Sequence, residues 1–284
     1  MDNRTGKRLV YEVLDHDPDH TDITRFLRRF RAELERRNLT LRGVTTDGSA
    51  LYPQPLAEVF PGVPHQICEF HILQEINRQV LKAVAAVRQE LKQTLPKGPR
   101  GRPAAGVARK AARKKQRIQA KITALFEHRY LFVQRSLSPQ EKKILHQITR
   151  GLPFLRILRA IVEQVYRLFD RRCRTETALE KLAQLRRHVR RFHALGQTLG
   201  KLFTPNIEKA LTFLDDSLLP STSNAVERGN RRHRKMQKTI YRVRTQAHIA
   251  QRIALDMQRD EQALGRLHTI TLLHNQRNGA FVCR

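Results

Sequence analysis

The chain has 284 residues, with 55 Lys+Arg against 26 Asp+Glu, a net charge of +29 and an isoelectric point near 11.3. Charge of this size calls for a polyanionic partner, nucleic acid first, and excludes an ordinary metabolic enzyme, while 40% hydrophobic residues exclude a disordered chain. Three scattered cysteines (Cys68, Cys173, Cys283) fit a reducing compartment and exclude a disulfide scaffold, no apolar run approaches the roughly 18 residues of a membrane helix, and the opening MDNRTGKR is no secretory signal.

Taken in chain order, Asp2–Gly6 is turn material and reads as a hairpin tip. Residues 7–14, KRLVYEVL, alternate apolar and polar side chains and predict a strand. Asp15–His20 is a polar loop. Thr21 or Asp22 can cap a helix to about Arg37, in which Ile23, Phe26, Leu27, Phe30 and Leu34 recur at helical spacing and Asn38 closes the run. Leu41–Thr46 is a second strand, ending in Asp47-Gly48-Ser49. Pro53–Phe60 is a helix closed by Pro61-Gly62, and His65–Phe70 a third strand. Strand, helix, strand, helix, strand implies an α/β unit with a parallel pair.

Beyond His71 the pattern is helical. Residues 72–95 form one helix, the Pro/Gly-rich 96–106 breaks it, and 107–135 resume as a basic helix. Ser138 and Glu141 form a capping box for a helix to about Thr149. Residues 154–202 hold one or two long helices, 206–214 a short one, and 224–264 a long Arg-rich one. Charge follows this division: 1–74 is net −1, 75–214 net +23 and 215–284 net +7.

Three features could carry chemistry. Asp47 stands at the carboxyl end of an apolar strand, where open parallel sheets bind ligands; the competing reading is a turn aspartate. Cys68-Glu69-Phe70-His71 is a C-x2-H, but a closed zinc site needs two more partners, so a buried Cys and a His ordering the next helix is favoured. Glu227 sits early in a helix capped by Ser221, Thr222 or Ser223, before a stretch (228–244) with eight Lys+Arg and no acid. It can serve as a metal ligand, as part of a DNA-binding stripe, or in i,i+4 pairs on a solvated face.

In that order, VTTDGSALYPQPLAEVFPGVPHQICEFHILQEI and TSNAVERGNRRHRK resemble the Asp-Asp-Glu transposases of bacterial insertion sequences. The resemblance covers essentially the whole chain. It implies an RNase H-like α/β core, mostly α by residue count, interrupted by a large all-helical insertion. The core would be residues 1–74 and 215–284, and the basic insertion 75–214. Asp47 matches the second Asp, Glu227 the Glu, and Cys68 and His71 the family's structural C-x2-H.

The resemblance further implies DNA strand cleavage and strand transfer with Mg²⁺ (or Mn²⁺) held by Asp47 and Glu227. Partners would be DNA, as element ends and target, and further copies of the chain, in the bacterial cytoplasm or on its nucleoid, with no membrane association. Arg228, Arg231, Arg232, Arg234, Lys235 and Lys238 after Glu227, with Arg113, Lys114 and Lys115 of the insertion, would contact phosphates. Residues 7–14 match the family's third strand, so the first strand and its Asp would lie upstream of Met1, making the chain a truncated, catalytically incomplete copy. The alternative is a non-catalytic basic helical DNA- or RNA-binding protein. The low aromatic content (6%, no Trp) argues against single-strand stacking platforms.

Overall fold

The computed structural model describes residues 2, 8–96, 105–190, 193–238 and 245–262. The chain divides into two compact units, one from Met1–Cys68 with Asp216–Arg284, the other from Glu69–Asp215. Among the described residues the fold is mostly helical with one small parallel sheet.

In the first unit, helix α1 (His20–Arg36) opens on Asp19, not on Thr21 or Asp22. The Asp22 amide donates to Asp19 Oδ1 (2.8 Å) and the Asp19 amide to Asp22 Oδ2 (3.2 Å), so two otherwise orphaned N–H groups are satisfied reciprocally. The helix closes on Asn38 in the left-handed conformation (φ 53°), with the Leu39 amide returning to the Leu34 carbonyl at 2.9 Å.

Strand β1 (Val44–Thr46), helix α2 (Pro53–Val59) and strand β2 (His65–Ile67) complete a β-α-β unit. The strands pair in parallel, Val44 with His65 and Thr46 with Ile67. Leu27 and Leu34 of α1 pack on Leu56, Val59 and Phe60 at the end of α2, with Leu9, Phe30 and Tyr52 against them. Burying each such side chain contributes about 1.5–3 kcal/mol.

Residues 8–14 are not a strand, contrary to their alternation. A strand exists by its ladder, and no neighbour pairs with them among the described residues. Side chains serve their backbone instead: Arg29 donates to the Tyr11 carbonyl and Gln246 to that of Val13 (2.7 Å). The expected third strand is also shorter than its apolar run, because Glu69 and Phe70 already belong to the next helix.

The second unit contains α3 (Glu69–Gln93), α4 (Ala105–Glu127), α5 (Pro139–Ile148), α6 (Pro153–Leu168), α7 (Thr175–Arg190), α8 (His193–Thr198) and α9 (Pro205–Lys209). The basic helix stops at Glu127 and gives way to a 3-10 turn over Arg129–Phe132, where 107–135 read as one helix. The Ser138/Glu141 capping box opens α5. Helix α6 supplies the middle of this core, burying Leu155, Leu158, Ile161, Val162 and Val165 together with Leu182 and Leu185 of α7.

The chain returns to the first unit through α10 (Asn224–Lys238) and α11 (Gln246–Gln262), where one helix over 224–264 was expected. Thr245 starts a new helix, its hydroxyl accepting from the His248 amide at 3.3 Å. Among the described residues no helix is long and apolar enough to cross a membrane.

Candidate functional site

The carboxyl edge of the sheet is built by three short segments of the first unit. Asp47 leaves β1 and Cys68 leaves β2 side by side, since the Cys68 amide donates to the Thr46 carbonyl at 2.7 Å. Neighbouring strands lie about 4.8 Å apart.

Asp47 is exposed. Its Oδ1 accepts from the Ser49 amide at 3.0 Å, the turn geometry that the Asp-Gly pair favours. Gly48 takes φ +88°, and a Cβ there would stand 2.9 Å from Ile67 Cγ2. Turn aspartate and edge carboxylate are therefore the same residue: the turn fixes one oxygen and leaves the group exposed. Tyr52 lies close enough to respond to it. Burial first, and then the Asp47 charge, push its hydroxyl above the usual tyrosine value.

The third segment arrives from far along the chain. The Thr45 hydroxyl donates to the Pro220 carbonyl at 3.1 Å, and Leu219 packs on Gly43. The Ser223 amide then donates to the sulphur of Cys68 at 3.3 Å, and Cys68 is fully buried. Helix α10 starts at the next residue. In its first turns Glu227 is half-buried, and its Oε1 accepts from the Ser223 hydroxyl at 3.1 Å. A carboxylate oxygen of Glu227 lies within 4.8 Å of Cys68 Sγ.

Cys68 and Glu227 thus meet at this edge, and Asp47 follows the strand beside Cys68. His71 follows Cys68 by three residues, on the first turn of α3. Ser223, which the sequence offers as one of three caps, is the residue that orients Glu227. Its signal was the Ser-Asn-x-x-Glu run. Arg228, Arg231 and Arg234 are exposed on α10; Arg232, Lys235 and Lys238 follow on the same helix, but their side chains lie outside the described residues. Arg113, Lys114 and Lys115 are exposed on α4.

A family model described as transposase, DDE_Tnp_ISL3, matches residues 5–253. The chain belongs to this transposase family. No curated protein and no solved structure matches it. The match spans Asp47, Glu227 and the whole of the helical second unit.

Asp47 and Glu227 offer carboxylate oxygens, which Mg²⁺ and Mn²⁺ prefer. The thiol of Cys68, buried and already accepting a backbone N–H, belongs to the packing between the strand end and residue 223.

Proposed function

We propose that this transposase binds DNA and holds a divalent metal ion at the carboxyl edge of its sheet, with Asp47 and Glu227 as the ligands this chain contributes. The reading takes the sheet and α10 as the RNase H-like catalytic core and residues 75–214 as its inserted helical domain. The observation that carries it is the delivery of Glu227 to Cys68, at the edge where Asp47 ends the neighbouring strand.

Bound Mg²⁺ would stabilise negative charge at a phosphodiester and favour attack by water or a 3′-hydroxyl. The chain's own part is positional. The Asp47 turn holds one oxygen on the Ser49 amide, and the Ser223 hydroxyl orients Glu227. Arg228, Arg231 and Arg234, directly after Glu227, would take the flanking phosphates. Exposed Arg113, Lys114 and Lys115 of the helical unit would contact phosphates in a sequence-independent way. Further copies of the chain would assemble on the element ends, in the cytoplasm and on the nucleoid.

Titration of the full chain with Mn²⁺, read by electron paramagnetic resonance, tests the metal reading. Asp47→Asn and Glu227→Gln should each weaken Mn²⁺ binding at least about tenfold, the loss of one charged ligand. Unchanged affinity in both variants would remove the metal site.

A further inference from the structure

The second unit gathers aromatic rings and guanidinium groups into a ladder at the carboxyl end of α4. The guanidinium carbon of Arg88, on α3, lies 4.9 Å from the centre of the Phe126 ring. That of Arg129 lies 4.6 Å from the same ring and 4.5 Å from the ring of Tyr130. Arg129 is further fixed by donating to the Phe126 carbonyl (2.6 Å) and the Tyr130 hydroxyl (3.3 Å).

Packing does not explain this ladder. Phe126 is 51% and Tyr130 57% exposed, while Leu125, Leu131 and Phe132 beside them fill the core. Among the described residues, Arg88 Nε is buried without a hydrogen-bond partner. Two large exposed rings interleaved with arginines offer π-faces, and the terminal rung, Tyr130, meets a single arginine among the described residues.

Charge names the occupant. Helix α4 carries seven Lys+Arg, from Arg109 to Lys121, and no acid before Glu127. Any ligand at the ladder therefore arrives beside a track for phosphates. Aromatic faces next to a basic track recognise unpaired nucleobases. Composition alone argues against such platforms, but a few rings suffice when the fold brings them together.

We propose that the Arg88–Phe126–Arg129–Tyr130 ladder stacks an unpaired base of single-stranded DNA adjoining a duplex held by α4. The proposal rests on the DNA-binding reading above and extends it to a structure-specific interaction. The test uses the full chain and two DNAs, a blunt duplex and the same duplex with a short 3′ tail containing 2-aminopurine. Binding of the tailed DNA should quench the probe. Tyr130→Ala should abolish the quenching and weaken tailed-DNA binding on the order of tenfold, the loss of one stacked base. It should leave blunt-duplex affinity and the melting temperature unchanged. Tyr130→Phe, which keeps the ring, should behave as the wild type.

Equal quenching and affinity for wild type and Tyr130→Ala overturn the ladder while leaving duplex binding intact. Tyr130-dependent quenching without blunt-duplex binding supports the ladder and defeats the duplex grip of α4. Tighter, Tyr130-dependent binding of the matching RNA tail overturns DNA as the occupant.

Discussion

Gly48 shows how a single residue can decide the site. Its φ of +88° lies where L side chains are strained, and an added methyl would also meet Ile67. Gly48→Ala should cost about 1–3 kcal/mol of stability. It should also weaken Mn²⁺ binding, since Asp47 is held by the same turn; denaturant unfolding and the metal titration read the two effects. The polar start of α1 is pH-sensitive in two directions. The Asp19 amide, then His16 and Arg25, hold the Asp22 carboxyl at about 2. Depressed below its unfolded value near 3.8, it stabilises the fold above that pH, and this contribution is lost as the pH falls towards 2. The Asp15 and Asp22 carboxylates hold His16 above its usual 6.5. Its contribution is complete below 6.5 and disappears as the pH rises through the raised value. Asp22→Asn should therefore flatten the acid limb of a stability–pH profile and lower the pKa of His16 followed by NMR. Such local effects were legible in the sequence where the interacting groups are neighbours: Asp-Gly marked the turn, and Asn38 the end of α1. The arginine–aromatic ladder was not, because Arg88 and Phe126 meet only when α3 packs on α4.

Among elements, the capped helix α5 and the parallel pair β1 and β2 were readable, whereas the strand expected at 7–14 was not. Ser138 and Glu141, three residues apart, predict the start of α5, and the structure forms both bonds of the box. Ser138→Ala should destabilise the second unit by about 1 kcal/mol, measured by urea unfolding. Residues 8–14 have the alternation of a strand but no ladder partner among the described residues, and side chains from α1 and α11 take up their carbonyls instead. Of the one or two long helices expected at 154–202, the structure forms α6 and α7, separated at Asp170–Arg174, and the helix expected at 224–264 is interrupted at Thr245, where a local cap starts α11. The candidate site lies between these cases. Asp47 and Glu227 were singled out by motif order, whereas the Ser223 amide bond to Cys68, which ties α10 to β2, spans 155 residues and could not be read locally.

Over the whole molecule, charge and connectivity are unevenly shared. The segment 69–215 carries 32 Lys+Arg against 11 Asp+Glu, a net +21 of the total +29. DNA affinity should consequently fall steeply with salt. Replacing Arg113, Lys114 and Lys115 with Gln should reduce the slope of log affinity against log salt by about 2–3, near 0.9 for each phosphate no longer neutralised. The same segment is continuous in sequence, whereas the unit bearing Asp47 and Glu227 is assembled from both ends of the chain. That discontinuity has a consequence during synthesis. Closing the sheet edge onto residue 223 must await translation of the entire helical segment, at the entropic cost of a long loop. The helical unit, by contrast, is complete in sequence as soon as residue 215 clears the ribosome. Nascent chains stalled with 1–215 emerged should show a protease-resistant core from 69–215 and rapid cleavage within 1–68; protection of 1–68 should appear only once α10 and α11 have emerged.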